Sequence, residues 1–212
     1  MEKLNQIIEK IRLDFDERTQ IRDHALIQAR KLTRNSANAI RAIHRNEKET
    51  ALEELKEAKD RVSDLHQKLE GFPDLYFTGY TQDAIKEYVE ASVVIAFLSD
   101  EALPTPEYLG VEYDTFLRGL AEVPGELRRR CMDIMRLGYS EDAEQLLSYM
   151  DDIYAVLVTM DYPDAITHGL RRQTDMVRGI LERTRGDLTI SLREEKLKKS
   201  LDDLITHMQD GE

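Results

Sequence analysis

Glu87 and Glu90 stand three residues apart in KEYVEASVVIAFL, and Glu122 and Glu126 four apart in LRGLAEVPGELRRR. On a helix either spacing sets two carboxylates one turn apart on one face. A carboxylate in an apolar stripe is costly unless it is paired, protonated or bound to a cation. Two such pairs suggest four acids gathered around Mg²⁺ or Mn²⁺, hard ions that take oxygen ligands. An ion held that way polarises a phosphodiester and generates hydroxide from bound water. The plainer alternative, a set of solvated surface glutamates, stays open. Two details weigh against it: Glu90 lies between Tyr88-Val89 and the apolar run Ala91 to Leu98, and Glu126 follows the helix-disrupting pair Pro124-Gly125.

Other metal chemistry finds less support. A di-iron carboxylate bundle needs Glu-x-x-His on two helices. The residues three before the histidines are Ile21, Arg41, Ser63, Ala165 and Leu204, and none is a carboxylate. No His/Cys zinc spacing, phosphate-cradling glycine loop or nucleophile motif occurs.

A second constellation is basic. No acid occurs between Asp23 and Glu47, a stretch that holds Arg30, Lys31, Arg34, Arg41 and Arg45 with His24 and His44. Arg30, Arg34, Arg41 and Arg45 step by four, seven and four, so a helix presents them on one face. Such a face suits a phosphate backbone. It equally suits pairing with acids such as Glu53-Glu54 or with another subunit. Arg129 stands three residues beyond Glu126, where it either holds a phosphate near the acids or pairs with Glu126.

The elements that must position these residues are helical throughout. Apolar residues recur at helical spacing almost everywhere. Leu4, Ile7, Ile8, Ile11 and Phe15 begin an inward stripe that Ile21, Ala25, Leu32, Ala39, Ile40 and Ile43 extend, so residues 3–46 form one very long helix or two abutting ones. A second helix covers 47–69, with Leu52, Leu55, Val62, Leu65 and Leu69 inward. The third runs over 81–100 with Thr81 as N-cap, and the fourth over 106–137, kinked or split at Pro124-Gly125. Ser140 caps a fifth, to Met160. A sixth runs to about Arg185, and Gly186-Asp187 separates it from a seventh over 189–208. Short connections favour a single-domain antiparallel bundle over residues 1–212.

Composition agrees. The chain has 212 residues, 34% of them charged, with ten Gly and five Pro, as expected of an all-α protein. The net charge of −12 argues against a whole-molecule attraction to nucleic acid or an anionic membrane, so a polyanion site must be local. The lone Cys131 forms no internal disulfide. With no apolar signal core at the N-terminus and no stretch long enough to span a bilayer, the expectation is a cytoplasmic protein.

In order and spacing, three segments resemble the translin/Trax family, and within it the Trax-like branch of archaea. ARKLTRNSANAIRAIHR is similar to the family's Ser-Arg-x-Ile-Thr…His-Arg pattern. GFPDLYFTGYTQDAIKEYVEASVVIAFL resembles its loop and third helix. VEYDTFLRGLAEVPGELRRRCMDIM resembles its Tyr-Leu-x-Gly…Thr-Gly-Glu-Leu-x-Arg signature. The resemblance implies an all-helical subunit of about seven helices and a hollow homo-oligomer, hexamer to octamer, that encloses RNA or single-stranded DNA. It further implies a Mg²⁺-dependent endoribonuclease whose metal-binding and catalytic acids are Glu87, Glu90, Glu122 and Glu126. Arg30, Arg34, Arg41, His44, Arg45 and Arg129 would then hold the nucleic acid. A non-catalytic, translin-like nucleic-acid-binding protein and a helical scaffold without nucleic acid are the alternatives. This chain departs from the pattern in three places. Glu122 stands where Trax has Asp, Pro124 stands near the family's Thr, and the basic start of translin's third helix is reduced here to Lys86.

Overall fold

A computed structural model of the protein describes residues 1–209. Among them are ten α-helices and no strand. Seven helices have eight residues or more, matching the expected number, and the other three are single turns. The all-α expectation is borne out. The chain divides into two compact units, residues 1–119 and 120–212.

The first unit is built on α1 (Glu2–His44), α2 (Lys48–Leu69) and α4 (Gly79–Ser99). With no Pro or Gly before Gly71, nothing interrupts α1, and it is one helix of 43 residues rather than two. Its contacts with α2 run antiparallel: Asn38 Nδ2 donates to Glu54 Oε1 (3.0 Å), Arg61 Nε to Asn35 Oδ1 (2.7 Å), and His24 Nε2 meets Asp64 Oδ2 (2.7 Å), while Arg18 reaches Asp74 (2.8 Å) beyond the end of α2. As the number falls on α1 it rises on its partner. Beneath these polar contacts Ala25, Leu32 and Ala39 of α1 and Ala51, Ala58 and Leu65 of α2 are fully buried. Small residues at helical spacing let the two backbones approach closely.

Two inward expectations fail. Leu4, Ile7, Ile8, Ile11 and Phe15 are between 40% and 62% exposed, because the buried residues of α1 begin only at Ala25. Leu52 is also exposed. Periodicity reports that a face is apolar, not what covers it.

Helix α4 is the central element of this unit. It packs on α1, α2 and the short α3 (Pro73–Tyr76). Ala84, Ile85, Tyr88, Val89 and Ala91 to Ala96 are buried almost all round, as its near-continuous apolar sequence requires. The helix begins earlier than expected. Thr78 is the N-cap residue, while Thr81 is fully buried in the first turn with its hydroxyl donating to the Leu75 carbonyl (3.2 Å). The helix ends at Asp100, whose left-handed backbone lets its N–H reach the Ala96 carbonyl.

The expected fourth helix is three: α5 (Pro106–Leu109), α6 (Tyr113–Leu120) and α7 (Val123–Met135). Gly110, with φ +68°, ends the first turn. Pro124 lies in the first turn of α7, where a missing N–H leaves no helical bond unmade, so it starts a helix instead of kinking one.

The second unit packs α7, α8 (Glu141–Val158) and α10 (Leu170–Gln209) against one another, with the single turn α9 (Asp164–Thr167) before α10. Ser140 caps α8 as expected, its hydroxyl accepting from the Asp142 N–H. Leu127, Cys131, Met150, Leu157, Val177, Leu181 and Leu188 form the core. Burial pushes the Cys131 thiol up to about 11, which keeps it a protonated, unreactive core group. The sixth and seventh helices of the sequence reading are one. Gly186 lies inside α10, where a glycine costs only about 1 kcal/mol relative to alanine, and with no proline nearby the helix continues through it.

Candidate metal centre and basic face

Glu87 and Glu90 sit one turn apart on α4, as their spacing requires. Glu90 is 9% exposed, enclosed by the same packing that buries Val89 and Ala91, while Glu87 is partly exposed with Lys86 Nζ 3.6 Å from its Oε1. Glu122 is the N-cap residue of α7, in the two-residue turn after α6. Its backbone carbonyl accepts from the Gly125 N–H (3.0 Å). Glu87, Glu90 and Glu122 each offer a carboxylate oxygen within 4.8 Å of the others.

Hard oxygen donors in this number suit Mg²⁺ or Mn²⁺, which bind through carboxylates and keep several waters. A buried carboxylate among two others is also the arrangement in which a cation relieves most repulsion. Glu126 is not part of this group. It lies in the first turn of α7, a quarter exposed, with Arg129 Nη1 3.5 Å from its Oε2. Arg129 thus makes the ion pair that its spacing allowed.

Gly119 is a packing position beside this group that sequence reading passed over. A Cβ there would lie 2.7 Å from Val89 Cβ and Cγ1 and 2.9 Å from the Lys86 carbonyl, so α6 touches the backbone of α4 at the turn that carries Glu87 and Glu90. The signal was a glycine inside a helical pattern, which marks close backbone approach. Arg118 beside it is nearly buried, held by Thr115 (3.2 Å), Asp83 (3.6 Å) and Asp114 (3.7 Å).

The basic residues of α1 lie where their spacing put them. Arg30, Arg34, Arg41 and Arg45 are all exposed, on the side of the helix away from Leu32, Ser36 and Ala39. At 100° per residue they fall within an arc of roughly 60°. Glu54, one of the acids considered as a partner for them, accepts from Asn35 and Asn38. Arg41 donates to Asn38. Arg30, Arg34 and Arg45 make no ion pair among the described residues. His44, at the end of α1, is half-buried.

The Translin family model matches residues 16–184, from α1 into α10 and across both units. The chain belongs to the Translin family. An uncharacterized protein of Methanocaldococcus jannaschii is 31% identical over 203 residues, 95% of this chain and 88% of that protein. Among solved structures, the AfC3PO–duplex RNA complex matches with a TM-score of 0.81 at 32% identity, over 88% of this chain and 97% of that one. AfC3PO alone gives 0.80 at 31%, over 88% and 97% of the two chains. Apo-NeC3PO gives 0.79 at 18%, over 87% and 96%, a likeness of fold alone. The resemblance to the translin/Trax family is therefore borne out, and with it the helical architecture. No helix among the described residues is long and apolar enough to cross a membrane.

Proposed function

We propose that this Translin-family chain, acting over residues 1–212 as one domain within a homo-oligomer of six to eight copies, is a Mg²⁺- or Mn²⁺-dependent endoribonuclease. The observation that carries this reading is the group formed by Glu87 and Glu90 of the largely apolar α4 with Glu122, three carboxylate oxygens within 4.8 Å of one another. Family membership and the duplex-RNA complex of the AfC3PO relative support RNA as the ligand. Single-stranded DNA is the second nucleic acid to try.

In this reading Glu87, Glu90 and Glu122 hold the ion, and Glu126 joins them or takes a proton from the attacking water. When bound, the ion supplies positive charge to the scissile phosphate and lowers the pKa of water. Glu90, locked by its packing in α4, fixes the position of one ligand atom. Glu87 and Glu122, half-buried, leave the open side towards substrate. Arg129 offers its guanidinium to a phosphate by exchanging its ion pair with Glu126. Arg30, Arg34, Arg41, His44 and Arg45 bind the backbone of the RNA through phosphate contacts, which need no particular base. The cytoplasm, where RNA substrates are found, is the compartment this reading requires.

The test is cleavage of labelled RNA, single-stranded and duplex, with Mg²⁺ and with chelator. Glu90→Gln keeps the shape of the buried side chain and removes its charge, so it should lower cleavage by about 10²-fold or more while RNA binding persists. Cleavage that survives chelator, or that is undiminished in both Glu90→Gln and Glu126→Ala, sinks the metal-carboxylate mechanism. RNA binding with no cleavage by the unaltered chain points to the translin-like binding protein, and no binding at low salt leaves the scaffold.

A further inference from the structure

We propose that a cavity in the first unit binds a small anion with an apolar body, such as a medium-chain carboxylate. The cavity has a volume of about 600 Å³, the size of a small-molecule site. Its lining is chiefly apolar: Leu55 from α2, Tyr88, Ile95 and Ala96 from α4, and Leu103 and Leu109 from the segment that follows. It lies on residues that the proposed nuclease reading does not use.

The mouth is built. The segment after α4 is tied to α2 on two sides. Lys48 Nζ meets Glu101 Oε1 at 2.7 Å, and Lys59 Nζ lies 3.9 Å from the centre of the Tyr108 ring. Between these ties Pro104 and Pro106 restrict the backbone, and the Thr105 hydroxyl accepts from the Tyr108 N–H at 3.2 Å.

Lys56 supplies the charge. It stands on α2 between Lys48 and Lys59 and lines the cavity. Glu53 and Asp60 stand at ion-pair spacing from it along the helix, yet Lys56 makes no ion pair among the described residues. Lys48 is neutralised by Glu101, and Lys59 is stacked on an aromatic face. In a chain of net charge −12, an ammonium left over an apolar cavity complements an anionic head whose tail the cavity covers. A cavity of about 600 Å³ matches a small molecule in size, whereas a peptide helix needs a long open groove.

Isothermal titration of the full chain with decanoate, and with decanol as the uncharged control, tests this. Decanoate should bind saturably at one site per chain, and decanol roughly tenfold or more weaker, as expected when one charge-assisted contact is lost. Lys56→Glu, a surface change that should leave the melting temperature unaltered, should weaken decanoate by at least the same factor. The proposal is overturned by absence of saturable binding, by equal affinity for acid and alcohol, or by undiminished binding in Lys56→Glu. It is also overturned if sedimentation shows decanoate displacing a second copy of the chain, since the cavity would then belong to a protein contact. None of these results depends on RNA cleavage.

Discussion

Among single residues, Gly119 has the most constrained surroundings. Two of the three atoms nearest an added Cβ belong to Val89, which is fully buried, and the third is a helix carbonyl that cannot move without breaking α4. Overpacking of this kind costs about 1–3 kcal/mol. Gly119→Ala should therefore lower the melting temperature measurably, whereas Gly179→Ala, where an added Cβ would come no nearer than 4.0 Å to Arg183, should leave it unchanged or raise it slightly. Equal melting temperatures for the two variants would refute the close contact. Glu90 makes the complementary point. Its position among Tyr88, Val89 and Ala91 was readable as an anomaly, but its burial to 9% follows from α1, α2 and α3 packing around α4. Glu126 looked equivalent by spacing, yet it pairs with Arg129 on a partly exposed turn.

At the scale of elements, α1 has two faces with different work. One buries Leu32, Ser36, Ala39 and Ile43, and the other carries the four arginines. The arginines are cheap to maintain because their side chains stay in water, and Glu54 accepts from Asn35 and Asn38. If this face binds a phosphate backbone, Arg30→Ala with Arg34→Ala should weaken binding to all sequences alike. The slope of log K against log salt should fall by about 0.7 to 0.9 for each contact removed. A change of affinity confined to particular sequences, or an unchanged slope, would show that the face contacts something other than phosphate. The break between α6 and α7 was half legible. Pro124 announced an interruption, and its place in the first turn of α7 shows that it organises a new helix and sets Glu122 in the turn before it.

For the whole molecule, the notable feature is apolar surface along the N-terminal part of α1 and the C-terminal part of α10, its two longest helices. Ile7, Ile8, Ile11 and Phe15 of α1 are exposed, as are Leu197, Leu201, Leu204 and Ile205 of α10. Isolated helices are marginal in water, and most helical stability comes from packing an amphipathic face. Helical ends of this length with uncovered apolar stripes fit a chain that self-associates. Ile7→Asp with Ile11→Asp should reduce the assembly seen by sedimentation while leaving the core near Leu65 intact, with a helical circular-dichroism spectrum retained. Sedimentation as a monomer at all concentrations before any substitution would remove the homo-oligomer from the proposed function.

The sequence by itself determined the all-helical class, the approximate limits of α1, α2, α4 and α8 and the local pairing of Glu87 with Glu90, because these depend on spacing along one helix and on the position of Pro and Gly. It also placed Arg30, Arg34, Arg41 and Arg45 on one face. Tertiary structure decided which apolar faces are covered. It buried Ala25 to Ile43 and left Leu4 to Phe15 open. It merged the last two helices through Gly186, a residue whose modest helical cost packing at Leu181 and Leu188 offsets. It brought Glu122 to Glu87 and Glu90 while Glu126 remained with Arg129. The physical reason is common to all three. Periodicity encodes the direction in which a side chain leaves its own helix, whereas burial and convergence depend on a second helix that the local sequence does not specify.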